Sequence, residues 1–265
     1  MGKNKISSLK FNDGKVHYAL PKEDLAKYNA SIFNLGNLSV PCEGQKALSV
    51  FFDLEGFTNF CNKRDPELDV HLFLTKYLNW ILEKIKDEIL INDKEIEHEK
   101  YHAIYSNLPF HTKFLGDGLW FLWDVEKLEK HLLCNIIISC YNISNKYSDE
   151  FLPLIRNNMH NVPQKLRCGA AFGTIYNIGE NDFVGPCINI SSRLQKFNGL
   201  TFCFATKGID ISQFHKEFLK LIIYKKALIR GIGWEIVGMF KKDFDKLKPE
   251  DKEVFKKVDA IIDNE

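Results

Sequence analysis

The strongest constraint on the fold is the apolar run of residues 47 to 52, which ends on Asp53 and is followed by Gly56. Such a run reads as a strand buried on both faces, and Gly56 lets the chain turn sharply from it into a helix. A second carboxylate, Asp117, stands between Gly116 and Gly118, with the runs 110 to 115 and 119 to 123 on either side at hairpin distance. This predicts a tight β-turn with Asp117 at its tip, where glycine supplies positive φ angles. If the two strands are neighbours, both carboxylates converge. Hard oxygen ligands with few other donors nearby favour Mg²⁺ or Mn²⁺, and Mg²⁺ is typically held by one or two carboxylates together with substrate phosphates. Asp53 and Asp117 are thus candidate ligands for two divalent ions.

Around these segments the pattern is α/β. A helix is expected over residues 66 to 90, where Leu68, Leu72, Leu78, Ile81, Leu82, Ile85 and Ile89 recur at helical spacing and Pro66 suits a first turn. A polar stretch, 92 to 107, follows, and beyond the Asp117 hairpin come a second helix, 128 to 147, and a loop, 153 to 163. Residues 166 to 172 and 174 to 178 read as an antiparallel pair, with Gly169, Gly173 and Gly179 easing close backbone approach. A helix carrying Asn189, a strand 200 to 205, a polar helix 209 to 218 and strands 220 to 229 and 234 to 240 complete the order. The organisation is one domain, 46 to 240, with an N-terminal extension, 1 to 45, and a charged helical tail, 241 to 265. The extension carries turn signals such as Asn12-Asp13-Gly14, and residues 248 to 265 read as a terminal charged helix.

At 265 residues, 45% hydrophobic and 13% aromatic, the chain can bury one substantial core. No stretch approaches the roughly 18 apolar residues of a membrane span, and the amino terminus lacks the apolar core of a signal peptide. Gly2 suggests myristoylation, but the motif wants Ser or Thr where the chain has Ile6. Seven cysteines without a Cys-x-x-Cys pair fit a reducing compartment in which Cys134, Cys168 and Cys203 are small core hydrophobes. A cytoplasmic location is expected. A net charge near +1, with lysines scattered among acids, argues against nucleic-acid binding.

Residues 182 to 193, Asp-Phe-Val-Gly-Pro-Cys-Ile-Asn-Ile-Ser-Ser-Arg, place Asn189 and Arg193 four residues apart on one helical face. Together with the Asp53 and Asp117 segments, in this order, the chain resembles the class III nucleotide cyclase catalytic domain over roughly residues 45 to 240. The resemblance implies an α+β, ferredoxin-like fold whose central, mostly antiparallel sheet is flanked by helices. It also implies two Mg²⁺ or Mn²⁺ ions per active site, held by Asp53, Asp117 and the backbone carbonyl of Leu54. Arg193 is implied to meet charge developing on the α-phosphate and Asn189 to hold the ribose; a guanidinium fork suits the first role. Arg230 falls where the family often carries a basic residue for the terminal phosphates, and backbone N–H groups around Gly56, Phe57 and Thr58, at a helix start, could cradle phosphate oxygens. The family pairs the two aspartates of one subunit with the Asn and Arg of the other. All four are present here, which implies a homodimer with two shared sites.

Lys113 and Asp182 align with the family's base-reading positions and match the pair expected of adenylate cyclases. A Lys donor beside an Asp acceptor nevertheless suits adenine, cytosine and uracil alike. Pocket volume would separate purine from pyrimidine, and Phe114 and Phe183 could narrow the pocket or belong to the core. Residues 51 to 62, Asn79-Trp80, residues 116 to 124 and residues 182 to 195 are similar in wording to the stand-alone bacterial pyrimidine cyclases of Pycsar antiphage systems. This implies UTP as substrate, then CTP, then ATP, with activation during phage infection and a separately encoded cyclic-nucleotide effector. Two other classes compete. A non-catalytic nucleotide-binding or dimerisation module would share the fold, but degenerate members usually lose a metal aspartate or the Arg. The segment from His98 to His102 spells the His-Glu-x-x-His of zinc proteases, but residues 93 to 100 are almost wholly polar and lack the apolar face a buried zinc helix needs, and no third-ligand signature follows.

Overall fold

The structure is a computed structural model that describes residues 7–10, 13–19, 43–62, 66–91, 102–156, 159–178 and 182–258. The chain forms two compact units, a small one from residues 1–44 and 176–184 and a large one from 45–175 and 185–265. In the small unit β1 (Ser7–Lys10) and β2 (Val16–Ala19) pair antiparallel. The turn between them carries the Asp13-Gly14 signal, with Lys15 N–H donating to Asp13 Oδ1 at 2.9 Å. Residues 23–28 and 98–101, and with them most of the His-Glu-x-x-His segment, lie outside the described residues, as do Gly2 and Ile6.

The large unit is built on β3 (Gly44–Glu55), in which every residue from 47 to 54 is buried. A strand with no exposed face must have a strand on each edge and cover on both sides. β5 (Gly118–Asp124) and β6 (Lys165–Asn177) supply the edges. β4 (His111–Phe114) lies outside β5. Beyond β6 follow β8 (Phe202–Ala205), β10 (Gly233–Phe240), β9 (Ile222–Ile229) and β11 (Phe255–Lys256). β6 and β8 run parallel, while β3 with β5, β4 with β5, β8 with β10, and β9 with β10 and β11 are antiparallel. At the far end of β6, within the small unit, β7 (Phe183–Val184) pairs antiparallel with Tyr176 and Asn177.

Two long helices, α2 (Pro66–Ile89) and α3 (Lys130–Lys146), share one core with the sheet. That core is aromatic: Phe60 meets Phe73 at 5.1 Å between ring centroids, and Trp80 and Tyr147 each meet Phe151 at 5.2 Å. Phe57 and Phe60 of the short helix α1 (Phe57–Cys61) are anchored in it, which fixes the turn at Gly56 between β3 and α1. After α3 come a π-helical turn, Tyr147–Phe151, and α4 (Leu152–Arg156). α5 (Pro186–Leu194) crosses β6, and α6 (Lys216–Leu221), α7 (Lys241–Lys246) and α8 (Pro249–Lys252) complete the unit. Cys134, Cys168 and Cys203 are buried as expected, and burial pushes the Cys134 thiol up to about 12. Among the described residues no helix is long and apolar enough to cross a membrane.

Several sequence expectations need correction; among them, the expected loop 153 to 163 begins inside α4, and the expected helix 209 to 218 is a 3₁₀ turn, Ile211–Gln213, followed by α6. β3 does not end at Asp53 but continues to Glu55. The expected antiparallel pair around Gly173 is a single strand, β6: Gly173 makes no turn, and a Cβ there would lie 2.9 Å from Cys187 Cβ, so it makes room for α5. The buried face of α2 is Phe73, Tyr77, Trp80, Ile81, Ile85 and Ile89, whereas Leu72 and Leu82 face solvent, because the aromatics fill more of the core than leucines at similar spacing. The charged tail is not one helix: α8 is brief, and the chain then pairs as β11 on β9, held by Phe255 against Phe197 and Phe244.

Gly169 is where α5 presses hardest on β6. A Cβ there would stand 2.2 Å from the Ser191 carbonyl oxygen and 2.6 Å from the Gln195 nitrogen, both rigid backbone. Gly169→Ala is therefore expected to cost about 1–3 kcal/mol in urea unfolding. An unchanged midpoint would contradict the close helix–strand contact.

Candidate active site

Antiparallel register brings the two carboxylates together. Phe52 stands opposite Leu119 and Asp53 opposite Gly118, the residue after Asp117. The two strands are pressed so close that a Cβ on Gly118 would lie 2.6 Å from the Phe52 carbonyl oxygen. Leu54 N–H donates to the Asp117 carbonyl at 3.1 Å, which closes the pairing across the hairpin tip. The turn itself needs the left-handed conformation at Gly116, φ 91°, and closes with Leu115 N–H on the Gly118 carbonyl at 2.9 Å. Asp53 and Asp117 share a cleft of about 490 Å³ whose lining includes Leu115, Arg167, Gln195 and Lys196.

Asp53 is 8% exposed, and burial raises its carboxyl above the ordinary value. Arg167 opposes this through hydrogen bonds and charge, Asp117 adds to it by repulsion, and Lys196 opposes it weakly. The Arg167 guanidinium places both Nε, at 3.0 Å, and Nη2 on the same oxygen, Oδ2 of Asp53. Two close carboxylates in a partly desolvated cleft, with the Leu54 main chain beside them, offer hard oxygen donors suited to Mg²⁺ or Mn²⁺ completed by substrate phosphates. Among the described residues no group of three or more His, Cys, Asp or Glu forms an alternative metal site. The Leu54 side chain is core, so only its carbonyl could serve.

Arg167 is a site residue that the sequence does not single out, and Glu55 is one it leaves without a role, since Gly56 suggests that the strand has already ended. Arg167 is a charged residue between buried Leu166 and Cys168, and such a charge implies a partner. Because β3 runs on past Asp53, alternation puts Glu55 on the Asp53 side, where its Oε1 lies 3.9 Å from Arg167 Nη1 and its Oε2 3.6 Å from Lys165 Nζ.

Asn189 and Arg193 do not join this cleft. Between them Ser191 faces inward: its hydroxyl meets Ser49 Oγ at 2.8 Å, and Ser49 Oγ accepts from Trp120 Nε1 at 3.0 Å, tying α5 to β3 and β5. Asn189 and Arg193 are exposed, and Arg193 forms no ion pair among the described residues. Arg193 Nη2 instead reaches the β9–β10 turn, 3.7 Å from where a Cβ on Gly231 would stand, beside exposed Arg230. Asp53 and Asp117 thus share a cleft that Asn189, Arg193 and Arg230 do not line.

At the start of α1, Gly56 is left-handed (φ 85°), Thr58 is exposed, and Phe57 is buried by its side chain and so can offer only its N–H. Lys113 is half-buried on β4 opposite Trp120. Phe114 is exposed and on the other strand face from Lys113, so it neither belongs to the core nor narrows a pocket built on Lys113. In the small unit Asp182 Oδ1 accepts from Phe183 N–H at 3.0 Å, and its carbonyl accepts from Ile178 N–H at 2.8 Å.

No protein-family model and no curated protein sequence matches the chain. Solved structures do. The adenylyl cyclase CyaB from P. aeruginosa superposes with a TM-score of 0.55 at 13% identity, covering 76% of this chain and 97% of that one. The guanylyl cyclase Cya2 gives 0.53 at 13% identity, covering 76% and 93%. A bacterial light-regulated adenylyl cyclase gives 0.54 at 15%, covering 84% of this chain and 61% of that one. At these identities the likeness is one of fold: the large unit has the fold of nucleotide cyclase catalytic domains, with a mostly antiparallel central sheet flanked by helices.

The raised Asp53 carboxyl fixes the sign of one pH effect. Its ionisation opposes folding, so the contribution of the neutral acid is full below the unfolded-state value and is lost as pH rises through the folded one. Asp53→Asn, which cannot ionise there, should gain on the wild type in urea midpoint as pH is raised from about 4 to about 6. A gap that moves the other way would contradict burial as the dominant cause.

Proposed function

We propose that this chain is a metal-dependent nucleotide cyclase that converts a pyrimidine nucleoside triphosphate, UTP before CTP, into the 3′,5′-cyclic monophosphate and pyrophosphate. The observation that carries the reading is the convergence of Asp53 and Asp117 in one cleft by strand register. In the reaction the ribose 3′-oxygen bonds to the α-phosphorus, the bond from that phosphorus to the bridging oxygen breaks, pyrophosphate leaves, and the hydroxyl proton passes to solvent. Mg²⁺ or Mn²⁺ held by Asp53, Asp117 and the Leu54 carbonyl would supply the Lewis acidity for this displacement.

The surface that carries Arg193 and Arg230 fits a second copy. Exposed Asn189, Arg193 and Arg230, outside the Asp53 and Asp117 cleft of their own chain, are free to complete the cleft of a partner, so the reading takes the active form as a homodimer with two shared sites. In it Arg193 meets charge growing on the α-phosphate with a planar fork of donors, Asn189 orients the ribose, and Arg230 holds the leaving phosphates. The N–H groups around Gly56, Phe57 and Thr58 add donors for phosphate oxygens.

Lys113 as donor and Asp182 as acceptor read the base edge. The same pair suits adenine, which keeps an adenylate cyclase as the second reading. The wording of residues 51 to 62 and 182 to 195, similar to the Pycsar enzymes, supports the pyrimidine assignment. On this reading the product is a cytoplasmic messenger for a separately encoded effector in antiphage defence.

Asp117→Ala removes a ligand at a turn and no core volume, so turnover should vanish while size-exclusion behaviour stays that of the wild type. An equimolar mixture of Asp53→Ala and Arg193→Ala chains, each inactive alone, should recover about a quarter of wild-type turnover, since half the dimers are mixed and each carries one intact site. No recovery would contradict shared sites.

A further inference from the structure

Arg167 lies against one of the two Asp53 oxygens that divalent cations would use. Both its contacts to Asp53 fall on Oδ2, while Oδ1 accepts no hydrogen bond among the described residues. The pair is largely enclosed, with the Asp53 side chain 11% and the Arg167 side chain 18% exposed. A guanidinium keeps its proton at any ordinary pH, so it cannot be neutralised where it stands. Two cations shared between Asp53 and Asp117 would use both Asp53 oxygens and so must displace it from Oδ2, and a displaced, buried guanidinium needs another anion at once. Glu55 is that anion. It follows Asp53 by two residues on the same strand face, its Oε1 is already 3.9 Å from Nη1, and Lys165 holds its other oxygen from the far side at 3.6 Å.

We infer that Arg167 is a built-in occupant of the cation position on Asp53, and that Glu55 is the seat to which it moves when a divalent metal enters. The inference rests on the reading of Asp53 as a metal ligand. Glu55 and Arg167 are positioning residues here: the first sets where the second rests, and the second sets how readily the cleft accepts metal. The arrangement keeps the two carboxylates partly neutralised without metal and makes metal entry an exchange of one cation for another.

The test is titration of Mn²⁺ without nucleotide, with free Mn²⁺ read by paramagnetic resonance. The proteins are the wild type, Arg167→Gln, Glu55→Gln and the double variant. Arg167→Gln should bind Mn²⁺ about tenfold more tightly, as the competing cation is gone. Glu55→Gln should bind about fivefold more weakly in the wild-type background and be without effect in the Arg167→Gln background, because it acts through Arg167. Equal effects of Glu55→Gln in both backgrounds would reduce it to a nearby charge and overturn the inference. If Arg167→Gln does not fold, Arg167→Lys, which keeps the charge but loses the fork, should still tighten binding several-fold; unchanged affinity there would also overturn it. Wild-type Mn²⁺ binding abolished by Asp53→Ala keeps the metal reading standing even when the cycle is additive. No difference between wild type and Asp53→Ala would bring down both.

Discussion

The register of β3 against β5 is the constraint on which the site depends. Asp53 opposite Gly118 leaves Asp117 at the hairpin tip with its carboxylate in the same cleft, and the close approach at Gly118 admits no side chain. A slip of one residue would reverse the faces of β3, sending Asp53 toward the opposite side and a phenylalanine into the cleft. Burial of β3 from residue 47 to 54 makes such a slip costly, since each displaced aromatic would lose its packing. The core thus acts as the ruler for the chemistry.

The same strand positions the second set of residues. Ser49 receives both the Trp120 indole and the Ser191 hydroxyl, so the face of α5 turned to the sheet is fixed, and Asn189 and Arg193 are turned outward by helical spacing. Asp53 and Asp117 meet where β3 pairs with β5, while Arg193 reaches the β9–β10 turn. Arg167 and Lys196 are cations lining the cleft, and Arg167 above all makes tolerable a pair of carboxylates that repel each other in a poorly solvated place.

Much of this was legible in the sequence, where local chemistry and tertiary role coincide. The buried strand, the Gly-Asp-Gly hairpin and the Asn189 helix all show themselves by period or turn residues. Elsewhere one residue type carries two meanings. Gly173 reads as punctuation, but in the structure it is clearance for α5, and only the three-dimensional neighbour tells the two apart. Gly56 does end β3, yet two residues later than the carboxylate suggested, which is why the role of Glu55 was hidden. Leu72 and Leu82 share the helical spacing of core residues, but Phe73 and Tyr77 win the buried face through larger area. Arg167 has no spacing relation to Asp53, 114 residues earlier, because their contact comes from the adjacency of β3 and β6 in the sheet. Its one sequence signal is a charge between two apolar residues, Leu166 and Cys168.

The central claim, that the Asp53 and Asp117 cleft supports nucleotide cyclisation with a pyrimidine preference, is tested most directly by the product. The purified protein would be incubated with ATP, GTP, CTP and UTP separately, with Mn²⁺, and the products identified by mass. The account predicts cyclic UMP, with cyclic CMP the lesser product. Cyclic AMP alone would contradict the pyrimidine assignment while keeping the cyclase, and no cyclic product from any of the four would contradict the catalytic reading itself.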